Sequence, residues 1–178
     1  THAEARRLRD ALPQSALDAA RALAKADRID DALVLAKQVG QRYPAERDAP
    51  ALVQQLTQQQ AAQAVAAQRR ATLERVLATA AQRPLDAKAF DAALADIANL
   101  LKTDARDVDA ATARERLLDA LRESADSATS LAALDETDAL FARFRRSLGE
   151  SAPVASAISA SRARLQEEER VRLAATAG

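Results

Sequence analysis

Apolar residues recur along this chain in steps of three and four, the repeat that places side chains on one face of an α-helix. The first stripe is Ala5, Leu8, Leu12, Ala16, Ala20 and Leu23. Pro13 falls inside it and is expected to kink or restart the helix, because proline removes a backbone donor and crowds the preceding turn. A shorter stripe follows: Ile29, Leu33, Ala36 and Val39. Asp30 is placed as its N-cap, with Ile29 stapled onto Val34. Gly40 and Pro44 mark its end.

A long helix is predicted over about 48–82, with Leu52, Leu56, Val65, Leu73, Val76 and Leu77 on its apolar side and a polar gap at Gln59 and Gln60. Pro84 ends it. Asp86 caps the next short helix, whose stripe of Phe90, Leu94, Ile97 and Leu101 is the cleanest in the chain. Leu85 is expected to pack back on Phe90. Beyond an Asp-rich turn, Val108, Ala111, Leu117, Leu118, Leu121, Ala125, Ala128 and Leu131 mark another long helix. Asp135 is placed as the cap of a third short helix carrying Leu140, Phe141, Phe144 and Leu148. Gly149 and Pro153 precede a final helix that starts with Val154, Ile158 and Leu165.

The order is long, short, long, short, long, short, long. The expected fold is all-α: about seven helices, arranged as antiparallel hairpins of alternating long and short helices stacked in a short irregular array. One helix pair cannot bury both of its faces, so stacked pairs share a core. Repeat-like units are placed at about 3–47, 48–104 and 105–149, with a terminal helix at 151–176, all within one domain. The segment LAKADRIDDALVLAKQVGQRYP resembles a degenerate tetratricopeptide-like hairpin: an alanine pair, a short loop, Asp-Ala-Leu, then proline after the second helix. The Ala- and Arg-rich hairpins are also similar to helical extracytoplasmic segments of bacterial membrane-tethered serine/threonine kinases and cell-envelope proteins. Those resemblances imply a docking or sensing module, located in the bacterial periplasm as part of a membrane-anchored protein, with the cytoplasm as the alternative.

Composition agrees with helices. Hydrophobic residues make up 48% of the 178 positions but aromatics only 2%, so Ala and Leu carry the core. Three Gly and five Pro supply too little turn chemistry for a many-stranded sheet. Net charge is zero, which gives no bulk attraction to nucleic acid or to an anionic membrane. Locally the balance differs. Residues 1–83 hold 13 basic and 9 acidic side chains, 84–138 hold 6 and 13, and 139–178 hold 7 and 4. Three readings suit this alternation: solvated helix faces, a polar docking surface, or head-to-tail contacts between molecules. The chain begins with Thr and has no Met, so it is expected to be part of a longer protein.

Segment 49–68 contains no charged residue and is long enough to span a bilayer, but it carries seven Gln. Unpaired amides are costly in lipid, so a solvated helix face is expected and no membrane insertion. A coiled-coil-like dimer is the structural alternative for this helix, opposed by its broken stripe.

Motifs for chemistry are few. Cys is absent, which rules out disulfides, thiolate nucleophiles and thiolate-ligated metals. The only His, His2, stands beside the N-terminus with no partner motif and is read as an exposed terminal residue. Gly40, Gly149 and Gly178 cannot build a phosphate-cradling loop. Residues 104–115 fail as a calcium loop: Arg106 and Val108 occupy ligand positions, and Asp109 stands where the turn needs Gly. Asp104, Asp107 and Asp109 are read as turn and capping residues. No catalytic, cofactor-binding or metal-binding residue is assigned, no cofactor is expected, and the chain is not read as an enzyme.

The expected function is a scaffold that binds a protein or peptide; the alternative is a ligand-sensing helical bundle of a membrane receptor. Candidate contact residues lie in the turns after the short helices and on their surfaces: Arg42, Tyr43 and Arg47, and Arg143, Arg145 and Arg146 around Phe141 and Phe144. Arg and Tyr commonly carry interface energy. The competing reading makes both Phe rings core and the Arg side chains its rim.

Overall fold

The computed structural model describes residues 2–176, with side chains from Ala11 onward. Among these residues every regular element is an α-helix: α1 (His2–Lys25), α2 (Ile29–Arg42), α3 (Asp48–Ala81), α4 (Ala87–Thr103), α5 (Val108–Asp126), α6 (Leu131–Leu148) and α7 (Ala152–Thr176). The all-α class and the seven helices match the expectation. The alternation of lengths is pronounced at first, with 24, 14 and 34 residues in α1–α3. It nearly vanishes in α4, α5 and α6, at 17, 19 and 18 residues. The chain divides into two units, Thr1–Gln68 and Arg69–Gly178, and α3 contributes to both.

In the first unit α1 and α2 form a hairpin. The link is a left-handed turn at Asp27, with φ of 61°. The Arg28 N–H donates to the Leu23 carbonyl at 3.0 Å and the Asp27 N–H to the Ala24 carbonyl at 3.1 Å, which satisfies carbonyls that the helix end would otherwise orphan. The core joins Leu17, Ala20, Ile29, Leu33, Ala36 and Val39 to Ala49, Leu52 and Leu56 of α3. Farther along α3, the amides of Gln60 and Gln63 donate to Asp30 and Asp27, each at 2.6 Å.

Three expectations in this unit are corrected. First, of the two effects expected of Pro13, a restart does not occur, since α1 is one helix through it, and Pro13 is itself buried. The buried face continues to Leu17 and Ala20, while Leu12 is 56% exposed. The side chains of His2, Ala5 and Leu8 lie outside the described residues. Second, Asp30 is not a cap. Arg28 is the N-cap residue, without a side-chain bond, and Asp30 and Asp31 occupy the first turn, where negative charge meets the positive end of the helix dipole. Third, Val34 is 56% exposed, so Ile29 buries with Leu33, not against Val34.

In the second unit one core gathers Val76 of α3, Phe90, Leu94 and Ile97 of α4, Leu117 and Leu121 of α5, Leu134, Phe141 and Phe144 of α6, and Val154, Ile158 and Leu165 of α7. Leu85 and Leu101 pack at its edge. Helix α4 packs on α5 and α6, α5 also on α6 and α7, and α6 on α7; α4 and α7 do not meet among the described residues. Caps define the helix starts. Asp86 accepts the Ala89 N–H at 2.7 Å, and Asp107 accepts the Ala110 N–H at 3.0 Å. Asp104 accepts the Arg106 N–H at 2.9 Å in the turn between.

The cap of α6 is Ser130, which accepts the Ala133 N–H at 3.2 Å. Asp135 lies inside the helix and pairs instead with Arg162 of α7. The two capping residues differ by more than a turn because Leu131 extends the core stripe backward, to α6 from what reads as the end of α5. Val108 is 74% exposed, and α5 buries Ala110 and Ala113 before reaching Leu117. Val65 and Leu77 on α3 are likewise exposed, at 67% and 43%.

Candidate functional site

The arginine-rich end of α6 follows from its helix chemistry. Gly149 follows the last turn with φ of 94° and donates its N–H to the Arg145 carbonyl at 3.1 Å. Positive side chains there face the negative end of the helix dipole. Phe141 and Phe144 are both buried in the core. Arg145 lies over the Phe141 ring, 5.8 Å from its centroid, and Arg114 of α5 lies over Phe144 at 5.4 Å; both are cation–π distances. Arg114 also donates to the Leu148 carbonyl at 3.2 Å, tying α5 to the end of α6. The rim reading of these rings is therefore correct for their own burial.

The three candidate arginines on α6 are used differently. Arg143 pairs with Asp91 of α4 at 2.7 Å. Arg145 approaches Glu150 at 3.5 Å. Arg146 donates to the Ala142 carbonyl of its own helix at 3.3 Å and meets no carboxylate among the described residues. Between α4 and α6 an open groove of about 310 Å³ has Leu94, Ala95 and Ala98 along its floor and Asp91, Arg143 and Arg146 at its rim. The other three candidates lie in the first unit. Tyr43 follows α2, donates its N–H to the Val39 carbonyl at 2.8 Å, and packs half-buried against the core. Arg42 and Arg47 are exposed on either side of it.

A larger set of arginines, not singled out by sequence reasoning, joins the helices of the second unit. Arg69 binds Asp107 with two nitrogens, at 2.7 and 3.2 Å, and Asp109 at 2.8 Å. Arg75 reaches Asp96 at 3.1 Å, and Arg83 pairs with Glu123. Arg162 spans Asp135 and Asp138 at 2.7 and 3.1 Å. Arg164 donates to the Ala128 carbonyl at 2.9 Å. The hydrogen bond from Arg69, then that from the Ala110 N–H, holds the Asp107 carboxyl below its ordinary range. Arg69 and Arg162 are held still more firmly protonated, chiefly by hydrogen bonds to Asp107 and Asp135. The acidic middle of the sequence is thus paired with the basic segments on either side of it, inside one unit. The signal was present in the charge map, but side-chain partners 21 to 52 residues apart could not be read from it.

Among the described residues no group of three or more His, Asp or Glu side chains could hold a metal ion, and no helix is long and apolar enough to cross a membrane. No family model, curated protein or solved structure matches this chain.

Proposed function

We propose that this chain is a non-catalytic docking module for a protein or peptide, built as a short, irregular, tetratricopeptide-like helical array. The observation that carries the reading is the groove between α4 and α6. Its floor of Leu94 and two alanines suits a row of small apolar side chains, and Arg146 at its rim has a guanidinium open to a carboxylate. Each helix from α4 onward meets the next and the next but one, a pattern that suits stacked helical pairs. The near-equal lengths of α4, α5 and α6 favour the second reading, a ligand-sensing helical bundle of a bacterial membrane receptor or kinase extracytoplasmic region.

The test is capture of partners from cells of the source organism by the immobilised chain. Two separate variants, Arg146→Glu and Ala98→Trp, alter the rim and fill the floor. An acidic partner should be lost from both and should weaken with salt, as exposed charge contacts do. Retention by both folded variants would remove the groove from the proposal. Loss only in an Arg42→Glu variant would place docking at the turn around Tyr43.

A further inference from the structure

Helices α1 and α3 bound a groove of about 380 Å³ within the first unit. Its floor is Leu52 and Leu56, whose side chains belong to the first core, with Ala24 beside them. Arg21 and Lys25 form the α1 wall, and Gln55 and Gln59 form the α3 wall. Among the described residues no acidic side chain lines it. The two walls run in the same direction: Arg21 approaches Asp48 at the start of α3, at 3.9 Å, and Asp27, just beyond α1, accepts from Gln63 farther along α3.

The polar groups of the walls are largely unpaired. Lys25 is exposed and meets no carboxylate among the described residues. Arg21 holds Asp18 at 2.7 Å through one nitrogen, in a pair whose side chains are 40% and 63% exposed; exposed pairs of this kind change partners at little cost. Gln55 and Gln59 are exposed and hydrogen-bond to nothing among the described residues, whereas the neighbouring Gln60 and Gln63 are engaged by Asp30 and Asp27.

We propose that this groove binds an extended, acidic segment of a partner protein, in which carboxylates alternate with apolar side chains. Charge selects the sign. A carboxylate at the rim meets Lys25 and the open side of the Arg21 guanidinium, whereas a basic segment would meet two like charges. Spacing selects the conformation. Leu52 and Leu56 are four residues apart, as are Gln55 and Gln59, and Arg21 and Lys25, and four residues of helix rise about 6 Å. Alternate residues of an extended chain advance by about 6.6 Å. Its apolar side chains therefore rest on Leu52 and Leu56 in turn, and the acidic ones between them point to the rim, where the long side chains of α1 end. An extended backbone also carries unpaired N–H and C=O groups, which the amides of Gln55 and Gln59 accept from and donate to. A helical ligand has paired these groups internally and leaves both glutamines unused. The site shares no residue with the groove between α4 and α6, so it is a second docking surface and does not rest on the first.

The probe is the blocked peptide Glu-Leu-Glu-Leu-Glu, titrated into the isotope-labelled full chain while amide chemical shifts are followed. A titration to about 5 mM saturates a site with a Kd of about 1 mM or tighter. Saturating shifts should appear at residues 21–25 and 52–59, and binding should weaken with salt. Lys25→Glu, at an exposed position, should leave the circular dichroism spectrum intact and weaken binding by about tenfold or more, because a like charge replaces an attraction. Gln59→Ala should weaken it about threefold, the loss of one hydrogen bond. Arg146→Glu should leave the shifts in the first unit unchanged, which separates this site from the α4–α6 groove. Absence of saturation, shifts confined to α4 and α6, a Lys25→Glu variant that binds like the parent, or equal binding of Lys-Leu-Lys-Leu-Lys overturns the proposal. A Gln59→Ala variant with undiminished affinity overturns the extended arrangement.

Discussion

At the scale of single residues, arginine and aspartate do in this chain what large aromatic side chains do elsewhere: they tie one helix to the next. Asp107 combines two such roles. It caps α5 through the Ala110 N–H and receives Arg69 from α3. Its side chain is 7% exposed, against 64% for Asp109 on the same arginine. Asp107→Ala should cost about 1–2 kcal/mol, the effect of a lost N-cap, whereas Asp109→Ala should stay below about 1 kcal/mol, as exposed pairs do. The pH dependence has a fixed sign. Because the folded carboxyl lies below its ordinary value of 3.8, the unfolded chain binds the proton more readily. The stability from ionised Asp107 is complete above about pH 4 and is lost as pH falls through the lowered value. Asp107→Asn keeps an oxygen for the Ala110 N–H but cannot titrate. Urea unfolding should therefore show a parent advantage at pH 7 that shrinks toward pH 3. An advantage unchanged by acid would remove the charge from the account.

At the scale of helices, periodicity found the elements and erred at two N-caps and at interior positions such as Leu12, Val65 and Leu77. The stripe Phe90, Leu94, Ile97 is buried as read, because nothing interrupts it and Asp86 caps it in register. In α1 the stripe was mistaken at Leu12, since treating Pro13 only as a breaker hides that its ring is apolar and can occupy the core. In α6 the wrong cap was chosen because Asp135 and Ser130 are both good capping residues, and only the burial of Leu134 and the packing of Leu131 separate them. The contacts of Arg69 and Arg162 were beyond reach for another reason: any of 26 acidic side chains could meet a given arginine until the helices are placed. Leucine-to-alanine changes test the revised faces. Leu17→Ala and Leu94→Ala remove buried side chains and should each cost about 2–5 kcal/mol. Leu12→Ala and Gln59→Ala, on exposed positions, should stay within about 0.5 kcal/mol. Thermal denaturation of the four variants decides it; equal losses at Leu12 and Leu17 would return the stripe to its first register.

At the scale of the whole molecule, the two hydrophobic clusters share a helix but no residue. The inner cluster of the first unit ends on α3 at Leu56, and that of the second begins with Leu73 and Val76. Between them, residues 57–68 bury no side chain. Backbone hydrogen bonds there depend on helix propensity and on the Gln60 and Gln63 contacts, and a helical stretch of about 12 residues is only marginally stable without tertiary support. Helices held by few apolar contacts open at lower free energy than those in a core. Native-state hydrogen exchange at low protein concentration should therefore divide α3 into three parts. Amides near Leu52–Leu56 and Val76–Ala80 should be protected, and those of 60–68 should exchange at least about tenfold faster, a difference of about 1.4 kcal/mol. Leu17→Ala should speed exchange in α1 and α2 while leaving α4, α5 and α6 unchanged, because its cavity opens only the first cluster. Uniform protection along α3, with Leu17→Ala felt equally in α4–α6, would mean that the long helix and both cores open together as one cooperative body.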